Sequence, residues 1–197
     1  STATSFTTST SFDPIPGTAS DFESAQSDFI SVTTLDSTKA IVTYTDGGNS
    51  SYGTACVLSI SGTTITAGTP VVFESASSYY TSVTTLDSTK AIVTYRDDGN
   101  AGYGTACVLS ISGTVITPGT PKVFESAPSE YTSVTTLDST KAIVTYYDYG
   151  NASYGTACVL SISGTVITAG TPVVFESALS YFTSVTTLDS TKAIVTY

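Results

Sequence analysis

The chain has 197 residues, of which 16 are acidic, 6 are basic and none is histidine, so its formal net charge is -10. The absence of histidine excludes the commonest general base and the imidazole metal ligand, and an acidic chain with few cations is a poor partner for nucleic acid. No apolar run approaches the roughly 18 residues that a spanning helix needs, so we expect no membrane insertion.

A 51-residue repeat dominates the sequence. The string SVTTLDSTKAIVTY begins at Ser31, Ser82, Ser133 and Ser184. Residues 73–123 and 124–174 differ at 7 of 51 positions, which leaves 44 identities. The sequence is therefore a tandem array. It divides into repeats 22–72, 73–123 and 124–174, a partial repeat 175–197 and a degenerate segment 1–21.

Each repeat predicts four short β-strands. In chain order they are SVTTL, KAIVTY, GTACVLSI and the stretch from TTIT to PVVFE, all rich in valine, isoleucine, threonine and tyrosine. Turns are predicted at LDSTK, at DGGN, DDGN or DYGN, at SGT, and at ESA with its variable following residues. The second and third strands are apolar on both faces, which is typical of strands that are covered on both sides.

Four strands per repeat predict an all-β chain folded as a β-propeller of four antiparallel, four-stranded blades. Segment 1–21 aligns with the last two strands of a repeat, because Gly17 and Thr18 match Gly68 and Thr69. The partial repeat 175–197 ends after its first two strands, so we expect the two ends to share the fourth blade and to close a ring within one chain. Two alternatives stay open: the N-terminal strands complete the blade of a neighbouring chain, or the sequence is a window on a longer array.

One rim of the predicted propeller carries most of the differences between repeats. Five of the 7 differences between 73–123 and 124–174 lie in two connections that emerge on the same rim, which also carries Phe29. Aromatic faces next to carboxylates and amides suit a sugar, since rings stack on its C–H face and polar groups bond its hydroxyls. The candidate ligand-binding residues are Tyr79, Tyr80, Tyr131, Tyr147, Tyr149, Tyr181, Phe182, Asp46, Asp97, Asp148, Asn49, Asn100 and Asn151.

A structural role is the alternative for residues of these types. The aspartates of the D-x-G-N turns can accept hydrogen bonds from nearby backbone N–H groups. The tyrosine that ends each second strand, Tyr44 in the first repeat, is expected to pack between blades. Asn49 and Asn151 begin N-glycosylation sequons in the same exposed turn, so a secretory pathway could attach glycans there.

The other repeated polar residues predict no metal site, no cofactor and no catalytic site. Cys56, Cys107 and Cys158 recur at one strand position, too far apart between blades for a disulfide, so we expect small buried residues. The aspartate-rich turns carry one or two carboxylates each, fewer than a calcium loop gathers. Asp36, Glu23 and their repeats are expected to be turn residues, because carboxylates in different blades are too far apart for a catalytic pair. We therefore expect no enzymatic activity.

The motif I-V-T-Y-x-D-x-G-N-x-x-Y-G-T-A, at 41–55 in the first repeat, is followed by S-I-S-G-T-x-I-T-x-G-T-P-V-V-F-E-S. Together they resemble the repeats of bacterial and phage surface and tail-fibre propellers over nearly the whole chain. More loosely, blades that are nearly identical resemble those of tachylectin-like lectins. The resemblance implies an extracellular protein, or one on a cell or virion surface.

These observations lead to two hypotheses of different classes. The first is a non-enzymatic, lectin-like adhesion module that binds cell-surface polysaccharide or other glycans at several related sites on one rim. The second is a structural repeat subunit of a surface appendage or fibre, a homo-oligomer assembled by strand completion between chains.

Overall fold

The computed structural model describes residues 1–8 and 14–197. Within these ranges the regular structure is β-strand, apart from two 3₁₀ turns at Asp98–Asn100 and Tyr149–Asn151. The paired strands run antiparallel. The predicted all-β class is confirmed.

The N-terminal segment forms two short antiparallel pairs, and we call it the N-terminal half-module. Its strands are β1 (Thr2–Ala3), β2 (Phe6–Thr8), β3 (Pro14–Pro16) and β4 (Ser20–Asp21). β1 pairs with β4, and β2 pairs with β3.

Module 1 is the first complete four-stranded sheet. It consists of β5 (Ser27–Asp36), β6 (Lys39–Asp46), β7 (Tyr52–Ser61), β8 (Thr64–Ala67) and the first half of β9 (Val71–Asp87). β6 lies between β5 and β7, and the outer edge of β7 pairs with β8 and with the first half of β9. The predicted fourth strand is thus present in two pieces. It is interrupted before Val71, where Pro70 has no N–H to donate to a ladder.

Modules 2 and 3 repeat this arrangement. Module 2 consists of the second half of β9, β10 (Lys90–Asp97), β11 (Tyr103–Ser112), β12 (Val115–Pro118) and the first half of β13 (Lys122–Asp138). Module 3 consists of the second half of β13, β14 (Lys141–Asp148), β15 (Tyr154–Ser163), β16 (Val166–Ala169) and β17 (Val173–Leu179). The last two strands, β18 (Ser184–Asp189) and β19 (Lys192–Thr196), form the C-terminal half-module.

Where the sequence predicts a turn after ESA, modules 1 and 2 are joined by a continuous strand. In β9, Val72 pairs with Thr54 of module 1, and Ser82 pairs with Thr94 of module 2. The prediction of a turn is wrong here, because a β-bulge lets one extended strand change partners without reversing direction. β9 and β13 consequently belong to two modules each, and the pairing runs continuously through thirteen strands.

The modules pack on one another through side chains that alternate along each strand. In β6, Ile41 belongs to the core shared with module 2, whereas Val42 belongs to the core shared with the N-terminal half-module. In β10, Val93 packs towards module 1 and Ile92 towards module 3. Burial of such a side chain stabilises the fold by about 1.5–3 kcal/mol. This two-sided packing explains why these strands are apolar on both faces.

One tyrosine in each module is fully buried and braced by a phenylalanine and a glutamate. In module 2 the ring of Tyr95 lies 5.2 Å from that of Phe73, and its hydroxyl donates a 3.1 Å hydrogen bond to Glu74. Burial raises the pKa of Glu74, and the nearby Asp97 raises it further. The same arrangement recurs in modules 1 and 3. The predicted packing is confirmed for Tyr44, Tyr95 and Tyr146, whereas the equivalent Tyr197 at the end of the C-terminal half-module is 61% exposed.

The two inner strands of each module are joined by the D-S-T-K turn. In module 2, Asp87 Oδ1 accepts hydrogen bonds from the hydroxyl and the N–H of Thr89 at 2.6 and 2.8 Å, and Asp87 Oδ2 lies 2.9 Å from Lys90 Nζ. These donors lower the pKa of Asp87 to about 2, and the Thr89 hydroxyl has the largest effect. The prediction that these aspartates are turn residues is confirmed.

The two half-modules pack on different modules. The N-terminal half-module packs on module 1, where Ala3 and Phe22 join the core. The C-terminal half-module packs on module 3, where Val185 is buried and its N–H donates to Ser133 Oγ at 3.1 Å. In the described ranges β19 pairs with β18 and with no strand of the N-terminal half-module. The expected fourth sheet with strands from both ends is not formed in this arrangement.

Candidate functional site

The three modules and the C-terminal half-module each have one aromatic residue in a left-handed backbone conformation. The φ values are 49°, 53°, 52° and 54° for Phe29, Tyr80, Tyr131 and Phe182. The first three lie in β-bulges, where the pairing with the next strand shifts register. A left-handed conformation costs a side chain about 1–2 kcal/mol, so such bulge positions usually carry glycine.

The bulges bring these four rings into a continuous row, which we call the aromatic ladder. Successive ring centroids are 4.7, 4.8 and 4.5 Å apart, and successive ring planes are inclined by 55°, 56° and 56°. A cavity of about 270 Å³ lies against the ladder and is lined by the four rings, Ile30 and three threonines.

The backbone of the ladder is fixed by hydrogen bonds between modules. Thr132 Oγ1 donates to the carbonyl oxygen of Tyr80 at 2.6 Å, and equivalent bonds of 2.5 and 2.8 Å join the neighbouring pairs. Each bond ties the bulge of one module to the inner strand of the next. The ladder is therefore positioned by the module interfaces and not by a free loop.

The outer aromatic residues extend the ladder at both ends. Tyr147 and Tyr181 stack with centroids 5.0 Å apart and planes inclined by 18°, and Tyr149 lies 5.1 Å from Tyr147. At the other end Tyr79 lies 5.7 Å from Phe29. The structure thus brings all seven predicted aromatic residues, together with Phe29, into one cluster, which we call the aromatic cluster.

One surface position of the module junctions differs in chemistry from junction to junction. Between modules 2 and 3 it holds an ion pair, with Arg96 Nη1 2.5 Å from Glu130 Oε1 and Arg96 Nε 2.7 Å from Asp98 Oδ1. Between module 3 and the C-terminal half-module the equivalent residues are the stacked Tyr147 and Tyr181. Sequence reasoning missed this ion pair, although both of its members are among the positions that vary between repeats.

Tyr80, Tyr149 and Tyr181 of the cluster have a raised pKa, so their hydroxyls are protonated at neutral pH. Burial, together with the nearby Glu130, raises the pKa of Tyr80 to about 12. The neighbouring Tyr147, followed by Glu130, raises the pKa of Tyr149. A protonated hydroxyl can both donate and accept a hydrogen bond, which is what a polyhydroxylated ligand requires.

The predicted aspartates lie inside their turns. Asp148 is 4% exposed, and its Oδ1 accepts the N–H of Gly150 at 3.0 Å. Asp46 and Asp97 are also buried. Burial raises the pKa of Asp97 and of Asp148, against the lowering effect of the backbone donors. The carboxylates of Asp46 and Asp148 accept backbone N–H groups of their own turns, as the structural alternative anticipated, whereas Asp97 Oδ1 is buried without a hydrogen-bond partner among the described residues.

The predicted asparagines Asn49, Asn100 and Asn151 are exposed at the tips of the same turns. Tyr149 leads into the turn that carries Asn151, so this asparagine lies beside the aromatic cluster along the chain. The sequons at Asn49 and Asn151 are therefore both in accessible turns.

The three cysteines are buried and carry free thiols. Cys107 Sγ lies 3.4 Å from the carbonyl oxygen of Gly119, and burial raises the pKa of Cys107 to about 11, which disfavours the reactive thiolate. Across residues 1–8 and 14–197, no three cysteine or acidic side chains are grouped to hold a metal ion. The same part of the chain contains no helix with the length and apolar character needed to cross a membrane.

No protein-family model matches the chain, and no curated protein matches it. The functional interpretation therefore rests on the geometry of the aromatic cluster.

Proposed function

We propose that the modules are blades of a β-propeller with four blades, three complete and one made from the two half-modules. The four antiparallel strands per module and the packing of successive modules support this arrangement. The ladder also supports it, because a ring tilt of 55–56° at every junction is what one repeated rotation between modules produces. Modules stacked without rotation would hold equivalent rings parallel.

We further propose a non-enzymatic, lectin-like module that binds glycans at the aromatic cluster. The main observation in support is the positive φ of four bulky aromatic residues at equivalent positions. Such strain, about 1–3 kcal/mol per residue, clusters at functional sites. Elsewhere in the described residues a positive φ falls on glycine, serine or alanine, each in or beside a turn. A requirement for aromatic rings at these bulges explains why glycine does not occupy them.

The chemistry of the cluster suits a neutral, polyhydroxylated ligand. Phe182 is 76% exposed, so a ring face is available for the C–H face of a sugar. The tyrosine hydroxyls supply donors and acceptors beside the rings. The net charge of -10 disfavours anionic ligands. The rings form one row, so we propose an extended site for an oligosaccharide along the ladder. A ligand of this kind fits a protein located outside the cell or on a cell or virion surface.

The test is a screen of neutral glycans followed by calorimetric titration of the best ligand. We expect Phe182→Ala and Tyr181→Ala each to weaken binding by about tenfold, as loss of an aromatic anchor does. Leu179→Ala is the matched control, because Leu179 is similarly exposed but outside the cluster. Absence of binding to every neutral glycan at millimolar concentration would remove the proposal.

A structural repeat subunit is the second candidate function. It is favoured by exposed apolar side chains at the two ends of the array. Val32 lies on module 1 beside the N-terminal half-module, and Ile194 lies on the C-terminal half-module. Light scattering over a range of concentrations tests it: a mass that grows with concentration supports assembly, and a constant monomer mass argues against it.

A further inference from the structure

The cavity beside the aromatic ladder is lined by rings and by short side chains without charge. Modules 1–3 and the C-terminal half-module each contribute their ladder residue and the residue that follows it. The lining residues are Phe29, Ile30, Tyr80, Thr81, Tyr131, Thr132, Phe182 and Thr183. The volume of about 270 Å³ admits a group of several heavy atoms, since a water molecule takes about 30 Å³ in the liquid.

The threonines of this cavity have their hydroxyl protons engaged by the protein itself. Thr81, Thr132 and Thr183 each donate to the carbonyl oxygen of the ladder residue in the preceding module. Each also accepts a hydrogen bond from a buried threonine of that module, at 3.4, 3.2 and 3.2 Å. The fourth equivalent position is Ile30, which has no hydroxyl. Among the described side chains that line the cavity, the free donors are therefore the two tyrosine hydroxyls.

This lining disfavours ligands that must be held by hydrogen-bond donors or by positive charge. A carboxylate or phosphate is bound best by charged donors, and the described side chains on the cavity wall supply none. A quaternary ammonium group has no N–H to donate and no lone pair to accept a hydrogen bond. Its burial among rings and methyl groups leaves no hydrogen bond unmade.

The rings themselves favour a cation. The face of an aromatic ring carries partial negative charge and attracts a cation that lies within about 6 Å of the ring centroid. Successive ladder rings have centroids 4.5 to 4.8 Å apart. A cation in the cavity is therefore within reach of more than one ring.

Carboxylates beside the ladder add to this preference. Asp28 and Glu130 each directly precede a ladder residue in the chain. Glu130 is paired with Arg96, which leaves one guanidinium among these carboxylates. Burial has the largest effect on the pKa of Tyr80 and raises it; among the charged side chains, Glu130 raises this pKa more than Arg96 lowers it. The charged neighbours thus leave a negative potential at this ring, in a chain whose net charge is -10.

We propose that the cavity beside the aromatic ladder binds a quaternary ammonium group, of the trimethylammonium type. The ladder rings contact its methyl groups, over which the positive charge is spread. This ligand explains why the four bulges carry aromatic residues, because aliphatic side chains would give an apolar wall without negative ring faces. The inference goes beyond the proposed binding of neutral glycans and does not require it.

The test follows the N-methyl proton resonance of choline during titration with the full chain. The matched ligand is the neutral isostere of choline, in which a tert-butyl group replaces the trimethylammonium group. We expect choline to bind at least about tenfold more tightly, because attraction to the ring faces acts on the cation alone. We also expect its N-methyl resonance to move upfield, since the methyl groups lie over ring faces. This comparison needs no variant of the protein.

Variants at Tyr131 locate the site in the cavity. Tyr131→Phe keeps the ring and is expected to bind choline within about twofold of the parent chain, whereas Tyr131→Leu removes the ring and is expected to weaken binding at least about fivefold. Tyr103→Leu is the control, because Tyr103 is half-buried like Tyr131 but lies outside the aromatic cluster. Unchanged circular dichroism of each variant shows that folding is intact.

Sedimentation with phosphatidylcholine vesicles identifies the source of the ammonium group. Vesicle binding that free choline displaces indicates a lipid headgroup, and binding of choline without vesicle binding indicates a soluble compound. Both results support the proposed chemistry of the cavity.

The contrary outcomes are distinct from failure of the glycan proposal. Equal binding of choline and its isostere shows a merely apolar cavity and overturns the inference, as does absence of choline binding. Choline binding that Tyr131→Leu leaves unchanged overturns the cavity as the site. A chain that binds a neutral glycan without choline overturns this inference alone, and one that binds choline without any glycan removes only the glycan proposal.

Discussion

At the scale of single residues, the acidic side chains of this protein fall into two groups with opposite effects on stability. The turn aspartates are partly exposed and accept hydrogen bonds within their turns, and the pKa of Asp189, like that of Asp87, is lowered to about 2. The glutamates beside the buried tyrosines of modules 2 and 3, and the aspartates of the D-x-G-N turns there, have a raised pKa because burial disfavours their charged form. The two groups make stability depend on pH in opposite directions.

Acidification from pH 7 to about 4.5 is expected to raise the thermal midpoint. The folded pKa of Glu74 lies above its ordinary value of 4.5, so its contribution is fully present below that value and is lost as pH rises through the folded pKa. Below 3.8, the ordinary aspartate value, the turn aspartates reverse the trend, because their contribution is lost as pH falls through about 2. Calorimetry across this pH range measures the profile.

Two glutamine variants test which carboxylates cause the pH dependence of the thermal midpoint. Glu74→Gln is expected to raise the midpoint at pH 7 and to flatten the rise, since the amide oxygen can still accept from Tyr95. Glu23→Gln is the control and is expected to change the midpoint at pH 7 in the opposite direction, because the Ala25 N–H lowers the pKa of Glu23. A midpoint that falls between pH 7 and 4.5 in the parent chain would contradict this account.

At the scale of elements, the second residue of each third strand is a glycine pressed against a phenylalanine of the adjacent strand. A Cβ at Gly104 would lie 2.5 Å from Cε2 of Phe124, and the corresponding glycines in β7 and β15 are in the same situation. A methyl group does not fit at this distance without moving the ring, which also packs against the buried Tyr146.

Gly104→Ala is therefore expected to lower the free energy of unfolding by about 1–3 kcal/mol, the usual cost of overpacking. Adding Phe124→Leu should recover part of the loss, because it removes the ring that the methyl group meets. Denaturant unfolding of both single variants and the double variant measures the coupling. Additive effects of the two substitutions would show that the ring is not the obstacle.

The sequence was sufficient to predict the all-β class, the four strands of each repeat and the buried tyrosines. These follow from the period of 51 residues and from strands that are apolar on both faces. It was not sufficient for the continuity of β9 or for the row formed by the aromatic rings. Both depend on a bulge at Tyr80, and nothing in the identity of a tyrosine signals a positive φ.

The sequence left open whether the candidate aspartates contact a ligand or their own backbone, and it did not predict the pairing of Arg96 with Glu130. The sequence of a D-x-G-N turn does not indicate whether its carboxylate faces a ligand or its own backbone. In the third turn the structure shows the backbone contact, because the Gly150 N–H donates to Asp148. The ion pair joins positions 34 residues apart, and only the packing of modules 2 and 3 brings them together.

At the scale of the whole molecule, the junctions between modules are built from equivalent apolar surfaces and differ at few positions, such as the one that holds Arg96 with Glu130 or Tyr147 with Tyr181. Stability of such an array is approximately a sum of module and junction contributions. Deleting 73–123 joins residue 72 to residue 124 and preserves both the repeat register and the surfaces of the remaining modules.

The deletion variant is expected to fold, with a denaturant m-value lower by about a quarter, because m scales with the surface exposed on unfolding. Equilibrium unfolding monitored by circular dichroism gives the m-value. Deleting 73–118 removes all but five residues of the same repeat and is the control, since it breaks the register and is expected not to fold. An unfolded in-register variant would mean that the differences between repeats, such as the Arg96–Glu130 pair, are indispensable.

The period of 51 residues has a consequence for how the length of the protein can change. Because successive modules pack through equivalent side chains 51 residues apart, gain or loss of one 51-residue copy preserves the register of the modules on either side. A change in copy number would therefore alter the length of the product without altering how neighbouring modules pack on one another. Copy number is a property that selection can adjust in this design without the need for any new interface.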